Sequence, residues 1–276
     1  MTSLFSLQQS INRRLSVAIA VAALAMSLTS WRSHATEVMD VVLKASAVAY
    51  YQGANGKARV VMRIVDAQAR ERTREFTILR YDVNDQDNGD QKFYVYFHQP
   101  ADVSKSVFLA WKHVGTEDDR WLYLPALDLV KRISASDART SFMGSHFYYE
   151  DVSGRLPTLD NHVLEEESGP YYVVASTPKN TAAVEFSQYR NWIHKGSHLP
   201  VKTEFMDAGG EVYRTYEALK VEVIQGNPTV VEAKMSDTRI GGHTSLTYSG
   251  VAYDQDLQED LFSERYLRSP PRKVLR

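Results

Sequence analysis

The sequence predicts a mainly β protein: one curved antiparallel sheet of about 10–11 strands, or a barrel, covered by a few helices. Three observations carry this. From Lys57 onward the apolar residues recur with period two rather than 3.6. Tight-turn dipeptides such as Asn55-Gly56, Gly169-Pro170 and Gly226-Asn227 punctuate the runs. Helical periodicity is confined to one early segment and a short tail.

The first 35 residues read as a secretory signal. Arg13 and Arg14 form a basic region, Leu15 to Leu28 an apolar run, and Ser33-His34-Ala35 a small-x-small cleavage site before Thr36. The apolar run, roughly 14 residues, is shorter than the ~20 of a spanning helix, although an uncleaved anchor is the alternative. The chain has no Cys. That excludes a lipid-modified N-terminal Cys, a disulfide framework, thiol catalysis and thiolate metal sites. Residues 36–276 are expected to form one domain. The net charge is −2, and the leader holds Arg13, Arg14 and Arg32 but no acid, so the remainder is more acidic still. Nucleic acid, which wants a basic surface, is not expected as a partner.

The elements follow in order. In EVMDVVLKASAVAYY, Val38, Val41, Val42, Ala45, Val48 and Ala49 recur at helical spacing, so this is an amphipathic helix. In the first strand Ala58, Val60, Met62 and Ile64 share a face opposite Arg59 and Arg63. After a turn at Asp66–Arg70 comes a strand around Arg72–Tyr81, then KFYVYFH, VFLAWKH, RWLYLP and LDLVKRI. HVLEEES and YYVVAST form a hairpin. AVEFSQYRNWIH joins LPVKTEFMD through Lys195-Gly196-Ser197, and EVYRTYEALKVEVI joins TVVEAKMSDTRI. HTSLTYSGVAY is the last strand, and DLQEDLFSERYLRSPP a short helix ended by Pro270-Pro271.

Such a sheet must curl, and little helix is available to fill its hollow. The bulky apolar residues of its inner face are therefore expected to line a cavity. From the first half these are Met62, Ile64, Phe76, Phe93, Val95 and Phe97. Leu109, Trp111, Leu122, Leu124, Trp192 and Phe205 complete the expected lining. Between Ser141 and Tyr149 the aromatics Phe142, Phe147, Tyr148 and Tyr149, with Met143 among them, are too dense for a solvated loop, and Gly144 and Ser145 let the segment bend. The segment reads as a lid, with Phe142 and Phe147 touching a ligand rather than belonging to a fixed core.

No signature of bond-making chemistry is present. His98, His113, His146, His162, His194, His198 and His243 include no HExxH, and His194 and His198 flank a turn. No metal site is expected, and no cofactor. Setting Gly89 at the sixth position of a calcium loop puts Gln86 at the third and Val95 at the twelfth, which fails. G-x-S-x-G is absent. Asp118-Asp119 and Glu150-Asp151 are adjacent pairs, which a strand would point to opposite faces.

Three segments carry a resemblance: FHQPADVSKSVFLAW (Phe97–Trp111), RWLYLPALDLVKRI (Arg120–Ile133) and SFMGSHFYYEDV (Ser141–Val152), with LPVKTEFMD (Leu199–Asp207) in support. Together they resemble the LolA-like outer-membrane lipoprotein-sorting proteins, in particular a branch found beside exporters of the resistance-nodulation-division type. The resemblance implies an unclosed, half β-barrel of the LolA/LolB kind and a periplasmic location. It implies lipid or lipoprotein acyl chains held in the cavity, an inner-membrane exporter of that type as partner, and no catalysis. It also implies a strand arginine that latches the lid, for which Arg63, Arg74 and Arg80 are the candidates. A lipid-sensing accessory module and a hydrolase remain as alternatives. A stable protein partner would mark the first, turnover of ester substrates the second.

Overall fold

The computed structural model describes residues 37–275. The expected signal segment and the Thr36 start lie outside the described residues. Helix α1 spans 37–50. Thirteen strands follow, a few more than expected, all in one sheet. They are β1 (Asn55–Val65), β2 (Glu71–Asp82), β3 (Gln91–Gln99), β4 (Val107–Lys112), β5 (Asp119–Leu124) and β6 (Leu129–Arg132). Then come β7 (Asp160–Ser168), β8 (Tyr171–Pro178), β9 (Gln188–His194), β10 (Pro200–Met206), β11 (Val212–Ile224), β12 (Asn227–Asp237) and β13 (His243–Tyr253). Helices α2 (Tyr149–Ser153) and α3 (Arg265–Arg268) are short.

The spatial order is β6-β5-β4-β3-β2-β1-β13-β12-β11-β10-β9-β8-β7. Every pairing is antiparallel, and the sheet is not closed. Two meanders thus meet where the first strand pairs with the last, Val60 opposite Tyr248 and Met62 opposite Leu246. This order has a topological consequence. β6 and β7 are consecutive in sequence but stand at opposite edges of the sheet. Their connection, residues 133–159, must span from one edge to the other, and it does so over the concave face. A cover over the hollow is therefore dictated by strand order.

Register aligns the concave face. Val60 lies opposite Phe76 and Phe76 opposite Phe97, while Val95 lies opposite Phe108 and Phe108 opposite Leu122. Side chains of paired residues share a face, so these rows build one apolar floor, which also takes in Met62, Ile64, Met235 and Leu246. The connection contributes Ile133, Phe142, Phe147 and Tyr149 to the same cluster. Over the other half of the sheet, Val38, Val41, Val42 and Ala45 of α1 pack on Val174 and Ile193. The convex face of β2–β5 is buried too. Leu257, Phe262, Leu267 and Leu275 of the C-terminal segment cover Leu79, Tyr94, Val107, Leu109 and Trp121. Tyr94 donates to Tyr266 O at 2.8 Å and Trp111 Nε1 to Phe262 O at 2.7 Å. Among the described residues no helix is long and apolar enough to cross a membrane.

Candidate functional site: a covered cavity in the concave face

Between the floor, α1 and the 133–159 connection lies a cavity of about 410 Å³. Its floor is Ala58, Met62, Phe76, Ile78, Phe93 and Val95 on one side, and Tyr216, Met235, Leu246 and Tyr248 on the other. α1 supplies Val42, Ala45, Val48 and Ala49 as one wall, and the connection supplies Phe142, Phe147 and Val152 as another. The lining is mostly apolar, as in pockets for small organic ligands, which run to about 300–1,000 Å³.

The twelve expected lining residues divide. Met62, Phe76, Phe93, Val95 and Phe205 line the cavity. Ile64, Phe97, Leu122 and Leu124 lie on the same floor but pack into the cluster beside it. Leu109, Trp111 and Trp192 are on the other face. On β4 both faces are apolar: Phe108 and Ala110 point to the floor, Leu109 and Trp111 to the C-terminal segment. Alternation therefore fixes no phase there. On β9, Tyr189, Asn191 and Ile193 reach the cavity, so Trp192 faces away, under the Lys202 ammonium at 4.6 Å.

The covering loop is hairpin-like. Ser141 and Tyr148 form a β-bridge, Phe142 N donates to Phe147 O at 2.7 Å, and Met143 and Gly144 make its tip with φ of 53° and 78°. Phe142 and Phe147 line the cavity, and Tyr149 and Met143 pack on the floor cluster. Phe142 is also enclosed by Phe76, Phe97, Phe108 and Tyr149, with ring centroids 5.4–6.4 Å away. It is 3% exposed. That packing corrects the expectation that Phe142 and Phe147 are held loosely: both, Phe147 at 7% exposure in the same cluster, belong to the fixed core as well as to the cavity wall.

None of the three expected arginines is the main fastening of the loop. Arg63 is on the outer face, paired with exposed Glu71. Arg80 donates to the carbonyls of Tyr50 and Gly53 and to Asp82, so it fastens the end of α1 instead. Arg74 lies near the loop tip, 3.9 Å from where a Gly144 Cβ would be, and 3.9 Å from Asp102. The fastening is Arg214 of β11, which is fully buried. Its guanidinium donates to His146 O at 3.0 Å and to the Asp151 carboxylate, and stacks on the Tyr148 ring at 3.9 Å. Register places Arg214 opposite Phe205, hence on the concave face. Strand parity puts Arg214 on the same face as Tyr216, but the sequence alone does not show that this face is the concave one.

Around Arg214 the loop is tied further. Arg139 pairs with Glu185 at 2.6 Å and Arg155 with Asp160 at 2.8 Å and Glu150 at 3.1 Å. Burial pushes the Glu185 carboxyl up, but hydrogen bonds from Arg139 and Tyr213 outweigh it and hold the group below its ordinary value. His146 N donates to Thr244 Oγ1 at 3.0 Å. Gly154, with φ of 75°, ends α2 against α1: a Cβ there would sit 2.6 Å from the Tyr50 ring. Among the described residues no three His, Asp or Glu side chains converge as a metal site would require.

Comparison with known proteins agrees with this architecture. A family profile described as an uncharacterized protein matches residues 89–269. No curated protein matches. Among solved structures, a DUF1329 family protein from Desulfovibrio piger is 25% identical, with a TM-score of 0.78 over 85% of this chain and 99% of that one. A protein described as an outer-membrane lipoprotein-sorting domain, from Vibrio parahaemolyticus, is 26% identical, with a TM-score of 0.76 over 85% of this chain and 99% of that one. A LolA superfamily protein from Nitrosomonas europaea is 20% identical, with a TM-score of 0.63 over 83% and 98%, a likeness of fold alone. The chain belongs to the uncharacterized-protein family whose profile it matches, and its unclosed, helix-covered sheet is that of the LolA-like lipoprotein-sorting proteins.

Proposed function

We propose that the protein is a periplasmic carrier that holds lipid or lipoprotein acyl chains in the covered cavity and passes them toward the outer membrane or an exporter. The observation that carries this reading is the apolar hollow itself, floored by thirteen-strand curvature and roofed by a loop that pins to the sheet through Arg214. Burying an acyl chain gains about 0.8 kcal/mol per methylene before ordering costs. Transfer runs downhill to an acceptor that binds the acyl chain more tightly. An inner-membrane exporter of the resistance-nodulation-division type is the proposed partner. A signal segment at residues 1–35 delivers the domain of residues 36–276 to the periplasm.

The carrier reading is tested with the fluorescent apolar probe N-phenyl-1-naphthylamine. Delipidated protein should bind one probe, and palmitate esters should displace it. Leu246 lines the cavity and is buried, so Leu246→Trp should fill the hollow and abolish uptake while the sheet still folds. Unaltered uptake by that variant would place the probe elsewhere and defeat the reading.

A further inference from the structure

Outside the cavity, one nearly buried cation lacks the partner that its burial calls for. Arg72 and Arg74 alternate with Phe76 on β2, so all three share the concave face. Neither arginine is among the residues that line the cavity. They stand beside the tip of the covering loop. A Cβ built on Gly144 would lie 3.8 Å from Arg72 Nη1 and 3.9 Å from Arg74 Nη2, with no other group within 4 Å apart from the loop's own adjoining residues. Two guanidinium groups therefore face one gap.

Arg74 is 9% exposed. Among the described residues its Nε is buried and has no hydrogen-bond partner. The carboxylate beside it, Asp102, is 3.9 Å from Nη1, beyond hydrogen-bond reach, and is 70% exposed. Burial, and after it the charge of Arg72, hold the Arg74 guanidinium below its ordinary value against the pull of Asp102. Other arginines of the same face show what is missing. Arg139 and Arg155 each grip a carboxylate along the Nε/Nη2 edge, on Glu185 and Asp160. In Arg74 that edge has an unpartnered Nε and an Nη2 close to the gap. A nearly buried charge without a partner is costly, so the arrangement is completed by an anion. A carboxylate, with two oxygens, satisfies one guanidinium fork. A phosphate group offers more oxygens and accepts from two forks at different angles.

We propose that Arg72 and Arg74, beside the Met143–Gly144 tip, bind a phosphate group, carried by inorganic phosphate or by the headgroup of an anionic phospholipid. This goes beyond the acyl-chain reading and does not depend on it. The test is thermal denaturation of the full chain in sodium phosphate, with sodium chloride and sodium acetate at matched ionic strength as comparisons, beside sedimentation with phosphatidylglycerol or phosphatidylcholine vesicles. Wild type should melt higher in phosphate, saturably, and Arg74→Gln should need at least roughly tenfold more phosphate for the same shift. Arg72→Gln, at an exposed position, should show part of that loss, and it serves if Arg74→Gln does not fold. Arg63→Gln removes a charge from the outer face and should leave the shift unchanged. Sedimentation with phosphatidylglycerol alone, competed by phosphate and weakened in Arg72→Gln, would identify the headgroup as the source. A phosphate shift without vesicle binding would identify the free anion, and either result supports the site. No shift beyond that in chloride together with no binding specific to phosphatidylglycerol, an equal shift in acetate, or an equal loss in Arg63→Gln would overturn it.

Discussion

Replacing Arg214 by Met should loosen the roof of the cavity and measurably destabilise the whole protein. The side chain is fully buried, while its partner Asp151 is 15% exposed, so the pair is shielded from solvent. Met keeps most of the stem and removes the guanidinium. The substitution takes the donor from His146 O, deprives Asp151 of its buried cation and vacates the face of Tyr148. Asp151 still accepts from Tyr148 N at 2.6 Å, with Arg139 4.0 Å away, so it is not wholly abandoned. One guanidinium nitrogen, Nη1, has no partner even in the native arrangement, which trims what the pair contributes. Breaking a buried ion pair from one side costs about 3–5 kcal/mol. At about 2–4 °C per kcal/mol for a domain of this size, the melting temperature should fall by roughly 6–20 °C. Urea denaturation and differential scanning fluorimetry measure both quantities. Arg63→Met is the control, because the Arg63–Glu71 pair is more than half exposed on the arginine side and such pairs contribute about 0–1 kcal/mol. Hydrogen exchange should also quicken in residues 141–153 of Arg214→Met. If Arg214→Met and Arg63→Met agree within about 1 kcal/mol, the roof is not held as described.

Three further outcomes follow from the same packing. Phe142→Ala should cost about 3–5 kcal/mol in chemical denaturation, as for a core phenylalanine, because four rings enclose it; a cost under 1 kcal/mol would restore the view of a loosely held lid. Gly154→Ala should destabilise the protein and disturb the Tyr50 environment in tyrosine-selective NMR, since the new methyl would lie 2.6 Å from that ring at a φ of 75°; an unchanged melting point would contradict the close approach. Burial holds the Lys112 ammonium down at about 8, against 10.5 when free. The unfolded chain therefore binds more protons between those values, and stability should rise with pH from about 8, by at most roughly 1 kcal/mol per pH unit. Above pH 10 the buried tyrosines oppose this, so the window is pH 8–10; Lys112→Met should lose the rise, and parallel curves for the two proteins would show that Lys112 does not titrate there.

Much of this architecture can be read from residue order. Alternation in Ala58–Val60–Met62–Ile64 gave a strand with its buried face correct, and Val38, Val41, Val42 and Ala45 gave α1 and its inner side. Those segments contrast one polar face with one apolar face, which is the condition for phase to be visible. β4 lacks that contrast, because the C-terminal segment buries its second face, and so Leu109 and Trp111 could not be placed. The cover at 141–149 was legible from its aromatic density, but not its attachment. Arg214 sits 63 residues from Asp151 in sequence, and only the register of β11 with β10 and β12 brings it beneath the loop.

A carrier of this kind holds an acyl chain in its cavity. Native mass spectrometry of the full chain, purified without detergent from its own cells, measures that directly. The predicted result is a population one lipid heavier than the bare polypeptide. Extraction with organic solvent should release a species with acyl fragments, and Leu246→Trp should lack the added mass. Bare protein only, together with no lipid uptake after incubation with vesicles of total membrane lipid, would contradict the central claim.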